Sequence, residues 1–140
     1  MKKRTVFHGL AAAVLCMSPL PAMAGDAAAG ERDWRQCRSC HMIADNDGNV
    51  IQRGGRVGPN MYGIIGSPAA AADGFRYSAD LRAAGAAGLV WTEENFLAYI
   101  TDPSGFLRDF TGNAGAQSSM NYQARSGQEN ILAYLMSLSN

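Results

Sequence analysis

Lysine is almost absent from this 140-residue chain: its two lysines stand at positions 2 and 3, and arginine carries the positive charge of everything beyond residue 3. Residues 25–140 hold nine arginines against twelve Asp and Glu, so 9 − 12 = −3, and the basic footprint of a nucleic-acid binder is missing. Long apolar runs are missing too. The one candidate, Ala11-Ala-Ala-Val-Leu15, is well short of the roughly 20 residues a membrane span needs, and Pro19 and Pro21 break its continuation. Lys2, Lys3 and Arg4 precede it and Ala22-Met23-Ala24 follows. That order of charged, apolar and small residues is a secretory signal peptide, cleaved after Ala24. Leu15 before Cys16 is bulkier than the small residue of a lipoprotein site. Residues 1–24 are therefore read as a removed leader, and residues 25–140 as one exported domain without a membrane span. Its 140 − 24 = 116 residues suit one domain.

Removing the leader leaves two cysteines, Cys37 and Cys40, and one histidine, His41. They form the run Cys37-Arg38-Ser39-Cys40-His41, the attachment signal for a c-type haem. On a helical turn, residues three and four apart share a face. The two thiols can each reach a vinyl group, and the imidazole can turn onto the iron. A closed zinc site would need four ligands, and no Cys or His follows residue 41. A thioredoxin-like redox pair would follow a strand in a βαβ unit, a pattern this chain lacks. One covalent haem c is the cofactor expected.

No convincing period-two alternation and no internal repeat occur, so the reading is all-α. Asp26 caps a first helix that runs through the alanines to the haem cysteines. Residues 44–63 are turn-rich; Gly54-Gly55 has no Gly-Lys-Ser/Thr sequel and reads as loop rather than phosphate cradle. Ser78 caps a short helix around Ala79–Ala84. Thr92, followed by Glu93 and Glu94, starts another, which ends before Asp102-Pro103. The stretch from Pro103 to Met120 reads as a long segment without regular structure. Ser126-Gly127-Gln128-Glu129 reads as a capping box, opening a last helix with Ile131, Tyr134, Leu135 and Leu138 at helical spacing. With so much loop the protein core would be thin, and a buried macrocycle would supply apolar mass.

The second iron ligand must come from elsewhere, since His41 stands alone after cleavage. Four methionines remain. Met42 adjoins His41 and cannot reach the opposite face of a ring, and Met136 lies within the last helix as core filler. Met61 could pack on the ring, and Met120 ends the long loop where the backbone can close over it. Position favours Met120 over Met61. His/Met ligation suits electron transfer.

With these residues in place, the chain resembles a class I cytochrome c of the bacterial periplasmic c2 subgroup, over essentially all of Gly25–Leu138. Gly30, Trp34 and Tyr134 match the glycine and aromatics of the first and last helices. Cys37, Cys40 and His41 match the haem-binding motif. Gly58-Pro59-Asn60 matches the segment whose proline carbonyl fixes the histidine ring. The resemblance implies that Tyr77 and Trp91 bond the haem propionates and that Tyr99 bonds the ligand sulfur. It also implies that Ser118-Ser119-Met120-Asn121-Tyr122 is the ligand loop, with His41 and Met120 as the two iron ligands. Two departures stand out. Ser67 occupies a position where relatives often carry a propionate-neutralising Arg, and Ser119 one where they carry a lysine of the ring around the haem edge.

The function expected is a soluble periplasmic one-electron carrier, a monomer and not an enzyme, in a respiratory or photosynthetic chain. A cytochrome bc-type complex or a dehydrogenase would be its donor, and an oxidase or a reaction centre its acceptor. Two alternatives come from other classes: a dedicated haem subunit of an oxidoreductase complex, which an apolar surface patch would favour, and a ligand-binding haem enzyme or sensor with a labile Met120.

Overall fold

The computed structural model describes residues 25–139; the leader and its cleavage site lie outside the described residues. Helix α1 spans Ala27–Asp33 and tightens into a 3-10 turn over Trp34–Gln36 just before the first haem cysteine. The Asp26 carboxylate caps α1 by accepting from the N–H groups of Ala28 and Ala29 at 2.8 and 3.2 Å. Helix α2 is Ala79–Ala86 and α3 is Glu93–Thr101. Their caps are those read from the sequence: Ser78 accepts from Leu81 N–H and Thr92 from Asn95 N–H. Helices α4, Pro103–Thr111, and α5, Gln128–Leu138, complete the helical set. A small antiparallel hairpin joins β1, Ile43–Ala44, to β2, Val50–Gln52. Its strands are too short to show alternation, which is why an all-α reading passed over it. Asp45 closes the turn, accepting from the N–H groups of Asp47 and Asn49.

Two sequence expectations need correction. The stretch after Pro103 is not structureless, because its first half is α4. Proline ends a preceding helix but is also favoured at the first position of a new one, where its missing N–H is not needed. Asp102 then caps from outside by accepting from Gly105 N–H at 3.0 Å. Leu107 is fully buried, a gain of roughly 1.5–3 kcal/mol, and Gly112 ends the helix in the left-handed conformation. The capping box before α5 is also absent. Gly127 holds the N-cap position at φ 75°, with no side-chain cap. The carboxylate of Asp33 sits where a side chain at Gly127 would be and accepts from Asn130 Nδ2 at 3.1 Å. A negative charge from α1 thus stands beside the first turn of α5, where the helix dipole favours it.

The crossing of α1 over α5 frames the molecule. A Cβ at Gly30 would overlap the carbonyl of Asn130 and lie 2.7 Å from Tyr134 Cβ, so only glycine permits this approach. Asn130 also accepts from Asp26 N–H at 2.9 Å, fixing both ends of α1 to one residue of α5. Trp34, Ile131 and Leu135 fill the core beneath the crossing. On the far side the 66–69 loop runs antiparallel to 89–91: Gly66 N–H donates to Trp91 O at 2.8 Å and Trp91 N–H to Ser67 O at 2.9 Å. That short ladder positions Trp91. Among the described residues, no helix is long and apolar enough to cross a membrane.

Candidate haem site

Between these elements opens a cavity of about 430 Å³, lined mainly by apolar groups. Eight of the nine residues singled out from sequence face it: Cys37, Cys40, His41, Pro59, Tyr77, Trp91, Tyr99 and Met120. Ser118, the ninth, is not on the wall and acts from behind it.

The attachment turn is built by local backbone geometry. Cys40 N–H and His41 N–H both bond Cys37 O, at 3.2 and 3.0 Å, which curls the pentapeptide into one turn. The following loop doubles back on it: Gly55 N–H donates to Arg38 O, Gly58 N–H to Cys40 O, and Met61 N–H to Met42 O. A Cβ at Gly58 would lie 2.5 Å from His41 Nδ1 and 2.7 Å from Nε2, so this glycine lets the backbone lie flat on the imidazole. Gly54 and Gly55 press equally closely on the carbonyls of His41 and Ser39. Sequence reading took the pair as ordinary loop; the close approach is their purpose.

His41 Nδ1 lies 2.9 Å from Pro59 O. A carbonyl cannot donate, so Nδ1 carries the proton and the lone pair belongs to Nε2. Burial lowers the imidazole pKa, opposed by this hydrogen bond, and the neutral ring is the form that can bind a metal. Burial, helped by the charge of neighbouring Cys40, pushes the Cys37 thiol up to about 11.

The other wall is held differently. Tyr99 is buried, packs tilted against Trp91 with ring centroids 4.8 Å apart, and shares a 2.6 Å hydrogen bond with Ser118 Oγ. Met120 N–H donates to the same oxygen at 3.0 Å. The resemblance implied a bond from Tyr99 to the methionine sulfur; here the hydroxyl engages Ser118, and through it the backbone of Met120. Ser118 N–H donates to Ser104 Oγ, and Gln117 N–H to the Asp80 carboxylate. Met61 is buried on the same cavity. Tyr77 accepts from Ala72 N–H at 3.3 Å, which leaves its own O–H proton for another acceptor, and burial raises its pKa.

These residues fit a haem. The cavity is apolar, two thiols and a free imidazole nitrogen converge on it from one turn, and a thioether enters from the ligand loop. Arg76 is the one arginine on the wall. Sequence reading also missed Gln36, which meets Tyr122 of the ligand loop across the mouth: Tyr122 O–H donates to Gln36 Oε1 at 2.9 Å.

No family model matches the chain. It is similar to cytochrome c-551 of Roseobacter denitrificans, 51% identical over 131 residues, covering 91% of this chain and 94% of that protein. Cytochrome c2 of Rhodovulum adriaticum is 44% identical over 119 residues, covering 83% and 94%. Among solved structures, ferric cytochrome c-550 from Paracoccus versutus superposes with a TM-score of 0.80 at 35% identity, covering 83% of this chain and 99% of that one.

Proposed function

The chain belongs to the class I cytochrome c family, of the bacterial c2 kind, and from that premise we propose how it works. It carries one covalent haem c and transfers electrons rather than transforming a substrate. In our reading residues 1–24 direct export and are removed after Ala24, and residues 25–140 act as a soluble monomeric carrier in the periplasm. Cys37 and Cys40 would hold the haem through thioethers, and His41 and Met120 would be the two ligands to its iron. Bound haem supplies a one-electron Fe(III)/Fe(II) couple.

The bond between His41 Nδ1 and Pro59 O carries this assignment. It fixes the tautomer and orientation of the proximal ring and raises its basicity, a role such outer partners play at metal sites. Tyr77 and Trp91 offer donors to the propionates, while Ser118 and Tyr99 hold the backbone and wall that present Met120. With His41 and Met120 both engaged, the iron would have no open site for substrate, which would separate the carrier from a haem enzyme or sensor. A bc-type complex or a dehydrogenase would donate the electron, and an oxidase or a reaction centre would accept it.

The test is the intact mass of protein purified from the periplasmic fraction. A chain beginning at Gly25 with a haem adduct that survives acid-acetone extraction is expected. Haem lost to the organic phase, or a chain beginning at Met1, would overturn this reading.

A further inference from the structure

The rim of the haem cavity is nearly free of charge. Its exposed members include Val57, Pro68, Ala71, Ala72, Ser119 and Tyr122. Val57 is 80% exposed and Tyr122 43%. Among the described residues, no Asp, Glu or Lys lines the cavity, and Arg76 is the one charged side chain there. Arg35 and Arg38, which flank the attachment turn, do not line it; their Nε groups fold back onto the carbonyls of Arg32 and Arg53.

Beside this rim lies a second groove of about 250 Å³, which shares Gly58, Pro59, Asn60, Ala72 and Phe75 with the haem cavity. Its charged members are one Arg56 and one Asp73, equal and opposite. Rim and groove together make a continuous, mostly apolar surface around the point where an electron must leave.

We propose that this surface docks a redox protein whose own contact face is apolar and carries at most an isolated carboxylate, set opposite Arg76. The proposal rests on the carrier reading and specifies its partner. Charge complementarity makes the choice. A strongly acidic face would bury several carboxylates against Arg76 and an Arg56 already offset by Asp73, losing their hydration without enough counter-charge. A basic face would find Asp73 alone, already balanced by Arg56. An apolar face loses nothing there, and charge depletion is what distinguishes the buried centre of a protein interface. Val57, an aliphatic side chain standing almost free in water, is the knob such a partner would cover.

Gold electrodes bearing methyl-, carboxylate- or ammonium-terminated monolayers serve as probe partners for the holoprotein. Electroactive coverage and midpoint potential are read by voltammetry. Productive adsorption is expected on the methyl surface, at the solution potential. Coverage should change less than about twofold from 0.01 M to 1 M ionic strength, over which the Debye length falls from about 30 to 3 Å. Val57→Glu should lower that coverage roughly tenfold, through lost apolar contact and a charge to be desolvated, with spectrum and melting midpoint unchanged. Val50→Glu, on the exposed hairpin away from the cavity, should leave it unchanged. Equal loss from both variants would overturn the proposal, because adsorption would then be unspecific. Salt-sensitive exchange on carboxylate alone would also overturn it, because the arginines would then act as a steering ring. No exchange on any surface would overturn the carrier reading and this proposal with it.

Discussion

The wall that carries His41 and the wall that carries Met120 enclose the same cavity but are held by different bonds. Residues 37–61 are tied to one another by backbone-to-backbone hydrogen bonds at Cys40, His41, Gly55, Gly58 and Met61. Glycines allow chain to lie on chain there. Among the described residues, no such backbone bond occurs from Gln117 to Gln123; the next is Ala124 N–H to Ile100 O at 2.8 Å. In between, the ligand loop hangs on side chains of other elements: Asp80 of α2, Tyr99 of α3 and Ser104 of α4. Backbone bonds survive most substitutions, whereas side-chain tethers do not. The proximal wall should therefore be robust except at its glycines, and the distal wall tunable at several positions.

The largest effect should come from removing the distal ligand. Met120→Ala should open the iron to cyanide or carbon monoxide and lower the potential, on the order of 0.1 V within the roughly 0.8 V that axial ligands span. Met61→Ala makes the comparison strict. That buried side chain should cost about 2–5 kcal/mol of stability while leaving the potential and ligand binding nearly unchanged. Were the two outcomes exchanged, the assignment of the distal wall would be wrong.

A second pair sets a glycine of the proximal wall against an open one outside both walls. Gly58→Ala drives a methyl into the His41 ring, which its bond to Pro59 O holds in place, an overpacking cost of about 3 kcal/mol. At Gly115 an added Cβ meets just Asn113 Oδ1, at 3.4 Å. Gly115→Ala should therefore be neutral or stabilising by up to about 1 kcal/mol, through the unfolded chain. Thermal melting of the two holoproteins reads the contrast directly. Similar midpoints would mean that the proximal wall yields at Gly58 as easily as an open turn does.

The next effect is smaller and confined to the distal wall. Ser118→Ala strips the partner from both Met120 N–H and the Tyr99 hydroxyl, at roughly 1–3 kcal/mol. Tyr99→Phe removes one bond and leaves Met120 N–H satisfied, at roughly 1 kcal/mol. Cyanide should bind the ferric protein faster in both variants, and more so in Ser118→Ala. If Tyr99→Phe had the larger effect, its hydroxyl would be acting on the sulfur rather than through Ser118.

This contrast also explains what could be read from the chain. The proximal wall is a local object: Cys37, Cys40 and His41 were read as one short motif at fixed spacing, and Pro59, named by resemblance, lies against the same histidine. The caps at Asp26, Ser78 and Thr92 were legible for the same reason: cap and helix are neighbours in sequence. The misreadings fall where distant residues decide. Gly127 looked like the interior of a capping box because Asp33, 94 positions earlier, was not visible beside it. The stretch after Pro103 was read as structureless; the preceding helix does end before it, but Asp102 before it and a buried Leu107 after it also make Pro103 an initiator. Ser118 was placed at the haem by resemblance, yet its work is to join Tyr99 to Met120, a relation between α3 and a loop that no window of sequence contains.

The smallest effect should appear where the two walls meet. Tyr122 O–H donates to Gln36 Oε1, and Gln36 Nε2 donates to Asp33 O at 3.1 Å and more weakly to Ser126 O at 3.4 Å. One side chain on the attachment side thus holds the segment just past Met120. Both partners of the tyrosine bond reach solvent, so water can replace it, and Tyr122→Phe should cost only about 0.5 kcal/mol. The ring stays, and with it the apolar rim, so melting should barely move. What should change is local opening of the ligand loop. A loss of that size speeds hydrogen exchange at Met120 N–H about twofold if exchange proceeds through local opening, while Ile43, on the backbone-tied side, should be unaffected. Gln36→Leu, which removes all three bonds, should speed exchange further at Met120 and again spare Ile43. Equal acceleration at both amides would mean that the two walls open together, and that the division between a backbone-held wall and a side-chain-held wall does not extend to their motions.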